Sequence, residues 1–430
     1  MSLVIDKQTL DDLNVFGKRD SVYTIFNHTY TRGGAALLEQ FFRYPLSDAA
    51  RINERSRLIR YFIDNAIAFP FRSELFDAAE QYLDDTDERS RLTYGENNLG
   101  RKFNSMIGAD TEYQQKVKGI TAIVEILLTL QSFIETVAID VQEIKQLLRD
   151  IPLPETLPFK PDYKKAVEYD RLLRFQHREP IKKILHHIYA LDVYISVAGV
   201  AVQRGFVFPT ALDADKHILN VEGLYHPKLS NPVANNLHMA PGSNIVFLTG
   251  ANMAGKSTFM KSLGIALFLA HTGFPVPAKK MEFSVCDALL TTINLPDDLN
   301  MGYSHFYTEV LRVKKMALQL ARSKNLFIIF DELFRGTNVK DAYEATVAIT
   351  AAFAASKNCN FVVSTHIMEA GETLMKQCDN INFLYLPTRM QGETPVYTYT
   401  LEKGITEDRH GMIIINNEGI LDILQNGIKQ

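Results

Sequence analysis

Residues 250–257 read Gly-Ala-Asn-Met-Ala-Gly-Lys-Ser, a Gly-x4-Gly-Lys-Ser pattern. Glycines at these positions let backbone N–H groups come close to a phosphate. In this spacing Lys256 reaches the β- and γ-phosphates, and the Ser257 hydroxyl holds Mg²⁺. Gly250, Asn252, Met253, Ala254, Gly255, Lys256, Ser257 and Thr258 are therefore read as the cofactor-binding loop, with ATP and Mg²⁺ as the cofactors. The bland alternative is an ordinary glycine-rich turn between a strand and a helix.

A second run, "NLFIIFDELFRGT" (325–337), ends an apolar burst in two carboxylates. Ligands of open α/β sheets bind at the carboxyl ends of the strands. Asp331 is read there as the second metal residue, completing the Mg²⁺ shell through water. Glu332 is read as the group that orients or deprotonates an attacking water. Alone, such a run is weak evidence; about 75 residues after the loop, it fits phosphoryl-transfer grammar. "FVVSTH" (361–366) is a third strand ending in polar residues, and His366 is read as a sensor of the γ-phosphate. The catalytic set is thus Glu332, Lys256 and His366.

These groups need a scaffold. The bursts "NIVFLTG", "NLFIIFDE" and "NFVVSTH" alternate with helical stretches at 256–271 and 306–322. Such runs predict strands buried on both faces of a mostly parallel sheet, an α/β P-loop NTPase. Residues 1–205 instead read as helical. Ile120, Ile123, Val124, Leu127, Leu130, Ile134, Val137, Val141, Ile144 and Leu148 recur at spacings of 3 and 4, predicting one long amphipathic helix. The prolines of "IPLPETLPFKPDY" (151–163) end it. A second long helix is expected over 164–203, with a kink at Pro180. Two such helices read as an antiparallel arm. The domains are set at 1–210 and 211–430.

Composition narrows the classes. The chain has 430 residues and a formal net charge of -4, which speaks against strong unaided DNA binding. Its three cysteines lack metal-ligand spacing and read as reduced, half-buried side chains of a cytoplasmic protein. The N-terminus lacks the basic start of a signal peptide. The apolar stretch 117–139 carries Lys118, Glu125, Gln131 and Glu135, so no membrane span is expected.

"TGANMAGKSTFM" resembles the ATPase core of the MutS mismatch-repair family, whose loop reads T-G-P-N-M-x-G-K-S-T. The likeness continues co-linearly. "YHP" (225–227), "HTGFPVPA" (271–278), "DDLNMGYSHFYTEV" (297–310), "DELFRGTNVKD" (331–341) and "STH" all resemble family segments. "DKQTLDDL" (6–13) and "TYTRGGAALLEQFFRYPLSDAARINER" (29–55) resemble the start of the family's core, or lever, domain, and "LDVYISVAGVAVQRGFVFP" (191–209) resembles its return helix.

The resemblance implies an all-α lever followed by an ABC-type ATPase domain. It implies a homodimer through the ATPase domain, in which Ser304 of one chain completes the site built on the partner's Lys256. It further implies DNA repair or recombination, with duplex or branched DNA bound weakly and a repair protein as partner. Several features depart from the family. The chain starts at the lever, so neither the mismatch reader nor the connector is expected. Only the proline-rich 151–163 stands where a DNA clamp normally sits. Pro232-Val233 precede Ala234-Asn235 where an aromatic often stacks on adenine, so stacking must come from elsewhere or be weak. Phe334 replaces a glycine, and "EGILDILQNGIKQ" is shorter than the family's dimerising tail. Two rival readings stay open: an ATP-gated protein scaffold that does not bind DNA, and a transporter ATPase subunit. The fused helical arm and the "TGANM" variant oppose the second.

Overall fold

The computed structural model describes residues 2–17, 19–93, 108–155, 157–293, 305–334, 336–392, 394–406 and 419–427. Ser304 lies outside them. The helices begin with α1 (Lys7–Asp12), α2 (Val22–Phe26), α3 (Arg32–Arg43), α4 (Ala49–Asp64) and α5 (Glu74–Asp84). Next come α6 (Gly108–Ile134), α7 (Gln142–Arg149), α8 (Tyr163–Asp170) and α9 (Arg178–Arg204). Strands β1 (Thr210–Leu212), β2 (Leu219–Leu224), β3 (Asn235–Met239) and β4 (Ile245–Gly250) precede α10 (Lys256–Thr272), β5 (Lys280–Ser284) and β6 (Ala288–Thr292). Then follow α11 (His305–Leu320), β7 (Leu326–Phe330), α12 (Val339–Ala354), β8 (Asn360–Ser364), α13 (Met368–Gln377) and β9 (Ile381–Leu386). The chain closes with β10 (Thr388–Gln391), β11 (Thr394–Tyr397), β12 (Glu402–Lys403) and α14 (Ile420–Gly427). These elements form two compact units. One joins Met1–Phe26, Phe41–Arg60 and Val200–Gln430; the other joins Asn27–Gln40 and Tyr61–Gly199.

In the second unit every described element is helical. Its core is built from Ile120, Ile123, Val124, Leu127, Leu130 and Ile134 of α6, met by Phe76, Ala79 and Leu83 of α5 and Ile181, Ile184 and Ile188 of α9. Gly119 is what lets α5 approach, because an added Cβ would lie 2.3 Å from Tyr82. Helices α6 and α9 contain spans, Thr111–Ile134 and Arg178–Arg204, long and apolar enough to cross a membrane by length and composition. Here their apolar sides are spent on this core.

The expected single helix through Leu148 is broken. It stops at Ile134 and restarts at Gln142. The Thr136 hydroxyl donates to the Phe133 carbonyl at 2.7 Å, and Asp140 accepts the Gln142 N–H at 3.1 Å. Such side-chain bonds to the local backbone compete with helix continuation. Val141 and Ile144 are still buried in the core. The second expected helix is also interrupted, but not at Pro180. The break is a π-helical turn, Arg171–Gln176, and Pro180 falls in the first turn of α9, where a missing N–H costs nothing. Arg174 of that turn is fully buried. It donates to Asp170 at 2.9 Å and to Asp85 at 2.5 Å, while Asp170 also accepts from the Tyr82 hydroxyl at 2.7 Å.

The first unit contains a six-stranded sheet of order β12-β9-β4-β8-β7-β6, parallel except for β12. Strands β4, β6 and β7 are buried along their whole length; β7 is an uninterrupted apolar run, whereas β6 ends in two buried threonines. On one face, Ile328 and Phe330 pack with Val313 and Met316 of α11 and Phe353 of α12. Helix α10 lies towards Ile329, where Gly264 leaves room for Leu13. A second sheet, β1-β5-β2-β3, carries mixed pairings that the sequence reading did not foresee. Residues 2–13 are stitched to β6. Val4 pairs with Ala288, the Thr291 N–H donates to the Thr9 hydroxyl at 3.0 Å, and the Thr291 hydroxyl donates to Asp12 at 2.6 Å.

Candidate nucleotide-binding site

Strand β4 delivers the glycine-rich loop to the carboxyl end of the sheet, and α10 begins at Lys256 with Gly255 as its N-cap. Gly255 sits at φ +101°, a conformation that admits glycine readily. Gly250 is tight as well, since an added Cβ would meet the Leu386 carbonyl at 3.2 Å. Between them, Met253 holds a left-handed backbone (φ +70°) and is exposed, whereas Ala254 is buried. Asn252, Met253, Gly255, Lys256, Ser257 and Thr258 line a cavity of about 550 Å³ that Glu332 also reaches.

Lys256 is buried, and its ammonium folds back on its own loop, donating to the Gly250 carbonyl at 2.8 Å and the Ala251 carbonyl at 3.2 Å. Burial pushes its pKa down, while Glu332 and Asp331 nearby push it back up. An ammonium held there is available to phosphate oxygens of a ligand in the cavity.

The two acidic residues diverge after β7. Burial raises the pKa of Asp331, opposed by hydrogen bonds from the Ser257 and Ser364 side chains. The Ser364 hydroxyl donates to Asp331 at 2.7 Å and accepts the Glu332 N–H at 3.1 Å. Glu332 takes a left-handed turn (φ +51°), and its carboxylate meets His366 Nε2 at 2.7 Å. Ser257 and Asp331 thus touch, as do Glu332 and His366. Ser257 and Asp331 offer hard oxygen donors, and among the described residues no cluster of three His, Cys, Asp or Glu side chains could hold a metal. That donor set suits Mg²⁺, which keeps waters and phosphate oxygens in its shell and takes only one or two groups from the protein.

Three residues escaped the sequence reading. Ser364 stands in the quoted "STH", but its link to both acidic residues depends on strand pairing. Asn235 and Tyr399 line the same cavity, although no motif assigns either of them a role. Phe334, where the family has glycine, keeps a left-handed backbone (φ +62°) and is buried with its ring 5.8 Å from that of Phe306.

Two family descriptions match the chain: MutS domain III over residues 2–198 and MutS domain V over residues 246–426. The DNA mismatch repair protein MutS of Persephonella marina is 29% identical over 265 residues, 60% of this chain and 30% of that protein. MutS protein homolog 4 of Homo sapiens is 29% identical over 246 residues, 55% of this chain and 26% of its own length. The DNA mismatch repair protein MutS of Thermotoga maritima is 25% identical over 370 residues, 82% of this chain and 44% of that protein. The chain therefore spans less than half the length of each of these relatives.

Proposed function

We propose, proceeding from the fact that this chain belongs to the MutS family, that it binds ATP with Mg²⁺ and hydrolyses it. The observation that carries this reading is the pairing, at one end of a parallel sheet, of Asp331 with Ser257 and of Glu332 with His366, beside the folded-back Lys256. Ser257 and Asp331 would hold Mg²⁺, which when bound neutralises phosphate charge. Lys256 exchanges its carbonyl partners for phosphate oxygens. Glu332 orients the attacking water and takes its proton, and His366, which meets that carboxylate at 2.7 Å, senses the γ-phosphate. Catalysis then rests on positioning and charge neutralisation.

We further read residues 1–210 as a helical core or lever and 211–430 as an ABC-type ATPase domain. The chain works as a homodimer through the ATPase domain, with Ser304 completing the partner's site. It acts in the cytoplasm in DNA repair or recombination, with weakly bound duplex or branched DNA and a repair protein as partners. These points rest on family membership.

The test is ATP turnover by the purified chain, with and without branched DNA. Glu332→Gln should keep ATP binding yet slow hydrolysis at least about tenfold, because removing a general base typically costs 10²–10⁴. Lys256→Ala, or EDTA, should abolish turnover. Wild-type protein that releases no phosphate under either condition would overturn the assignment.

A further inference from the structure

Just after β7 the backbone turns twice through a region that side chains resist. Glu332 and Phe334 both take left-handed conformations, at φ +51° and +62°, with Leu333 between them. Such a backbone costs any residue with a Cβ free energy, most of all a bulky one, and persists only where the surroundings over-determine it.

The start of the turn is held by its own N–H groups. Asp331 donates to the Thr292 carbonyl of β6 at 2.9 Å, and Leu333 donates to the Ser364 carbonyl of β8 at 3.1 Å. Between them the Glu332 N–H donates to the Ser364 hydroxyl at 3.1 Å. The far end is held by packing. Phe334 is buried in the cluster that contains Val313 and Met316 of α11, and its ring centre lies 5.8 Å from that of Phe306, in the first turn of the same helix. The following backbone is just as close to α11: a Cβ added to Gly336 would stand 2.8 Å from the Phe306 nitrogen and 3.0 Å from His305 Nδ1. The turn is therefore tied to β6 and β8 at one end and to α11 at the other. Between these ties it aims Glu332 at His366, 2.7 Å away.

We propose that Phe334 is a positioning residue for hydrolysis: its ring, seated against Phe306, holds the left-handed turn that aims the Glu332 carboxylate. Phe334 does not itself line the nucleotide cavity; it acts through Glu332. The inference rests on the ATPase reading above and names the side chain that sets the geometry of its general base.

Two opposite perturbations test it on the purified full chain. Phe334→Gly accepts the positive φ freely but removes the ring, whereas Phe334→Ile keeps apolar bulk but, being β-branched, opposes the positive φ. Each should lower kcat for ATP at least about fivefold, since a misplacement on the order of 1 Å can cost 10²-fold. Each should bind a non-hydrolysable analogue, adenylyl imidodiphosphate, within about threefold of wild type, because the loss falls on the transition state. Phe334→Leu keeps bulk without the β-branch and should recover most of the lost kcat. The decisive comparison adds Phe334→Gly to Glu332→Gln. Residues that act as a unit are not additive, so the second change should alter the remaining kcat by less than about twofold. Phe306→Ala removes the same contact from the α11 side and should repeat the pattern, which keeps the test decisive even where Phe334→Gly yields no folded protein.

A kcat loss under fivefold in these variants overturns the proposal. So does a matching loss of analogue binding, which marks Phe334 as general support of the fold. A further loss of more than twofold on the Glu332→Gln background overturns it too, because the ring would then act independently of Glu332. If wild type itself releases no phosphate, the ATPase reading fails and this inference falls with it; normal wild-type turnover with unaffected variants sinks the role of Phe334 alone.

Discussion

His271 shows how one buried side chain sets a pH limit. Its Nδ1 donates to the Leu46 carbonyl at 2.7 Å, and its Nε2 stands 3.2 Å from Cys286 Sγ. Burial drives its pKa from near 6.5 down to about 4. Below pH 6.5 the unfolded imidazole takes a proton that the folded one refuses until about pH 4. Its contribution is therefore complete above pH 6.5 and lost as pH falls towards 4. Between pH 7 and 5 the wild type should lose ~2 kcal/mol through this group. Urea titrations at both pH values check this. His271→Asn should be less stable at pH 7 and show a flatter pH dependence; an unchanged slope would remove His271 as the cause. Legibility followed contiguity at this level. Lys256, Ser257, Asp331, Glu332 and His366 sit in short runs whose spacing carries meaning. Ser364, Asn235 and Tyr399 meet neighbours 32 to 166 residues away, and no local pattern encodes such a meeting.

The buried strands were legible because strands covered on both faces leave unbroken apolar runs. The breaks in the long helices were not, because apolar spacing stays in phase across them: Ile134, Val141 and Ile144 all face one core. The π-turn at Arg171–Gln176 is likewise silent in sequence, yet it carries the buried charge network of the helical unit. Arg174→Met would leave Asp170 buried without its cation. Breaking such a pair typically costs about 3–5 kcal/mol. Denaturant unfolding followed by circular dichroism should show a loss of that size. A change under about 1 kcal/mol would mean that Tyr82 and the Leu92 N–H satisfy Asp170 unaided.

For the assembled protein, the proposed dimer makes the strongest demand. Lys256→Ala spoils its own site but keeps a good Ser304, whereas Ser304→Ala does the reverse. Mixed dimers of the two carry one intact composite site, so combining two inactive preparations should restore part of the ATPase activity. If subunit exchange is demonstrated and activity stays at background, the two residues do not act in trans. Family membership was readable across most of the chain because its motifs are co-linear. The discontinuous make-up of the compact units was not, since nothing in residues 2–26 or 41–60 announces a partner beyond residue 200.

The stitching of residues 2–13 to β6 sets an order of events during synthesis. Thr9 waits for Thr291, 282 residues further on, and Asp12 for the same residue, 279 further on. At about 5–20 residues per second that wait is tens of seconds. For most of it, Leu13, which packs beside Gly264 in the finished protein, lacks that partner. Strand β6, at the edge of the six-stranded sheet, in turn receives Val4 from a segment made long before. This segment thus stays apart from its final partners until β6 has been made, an interval in which a ribosome-bound chaperone can shield it.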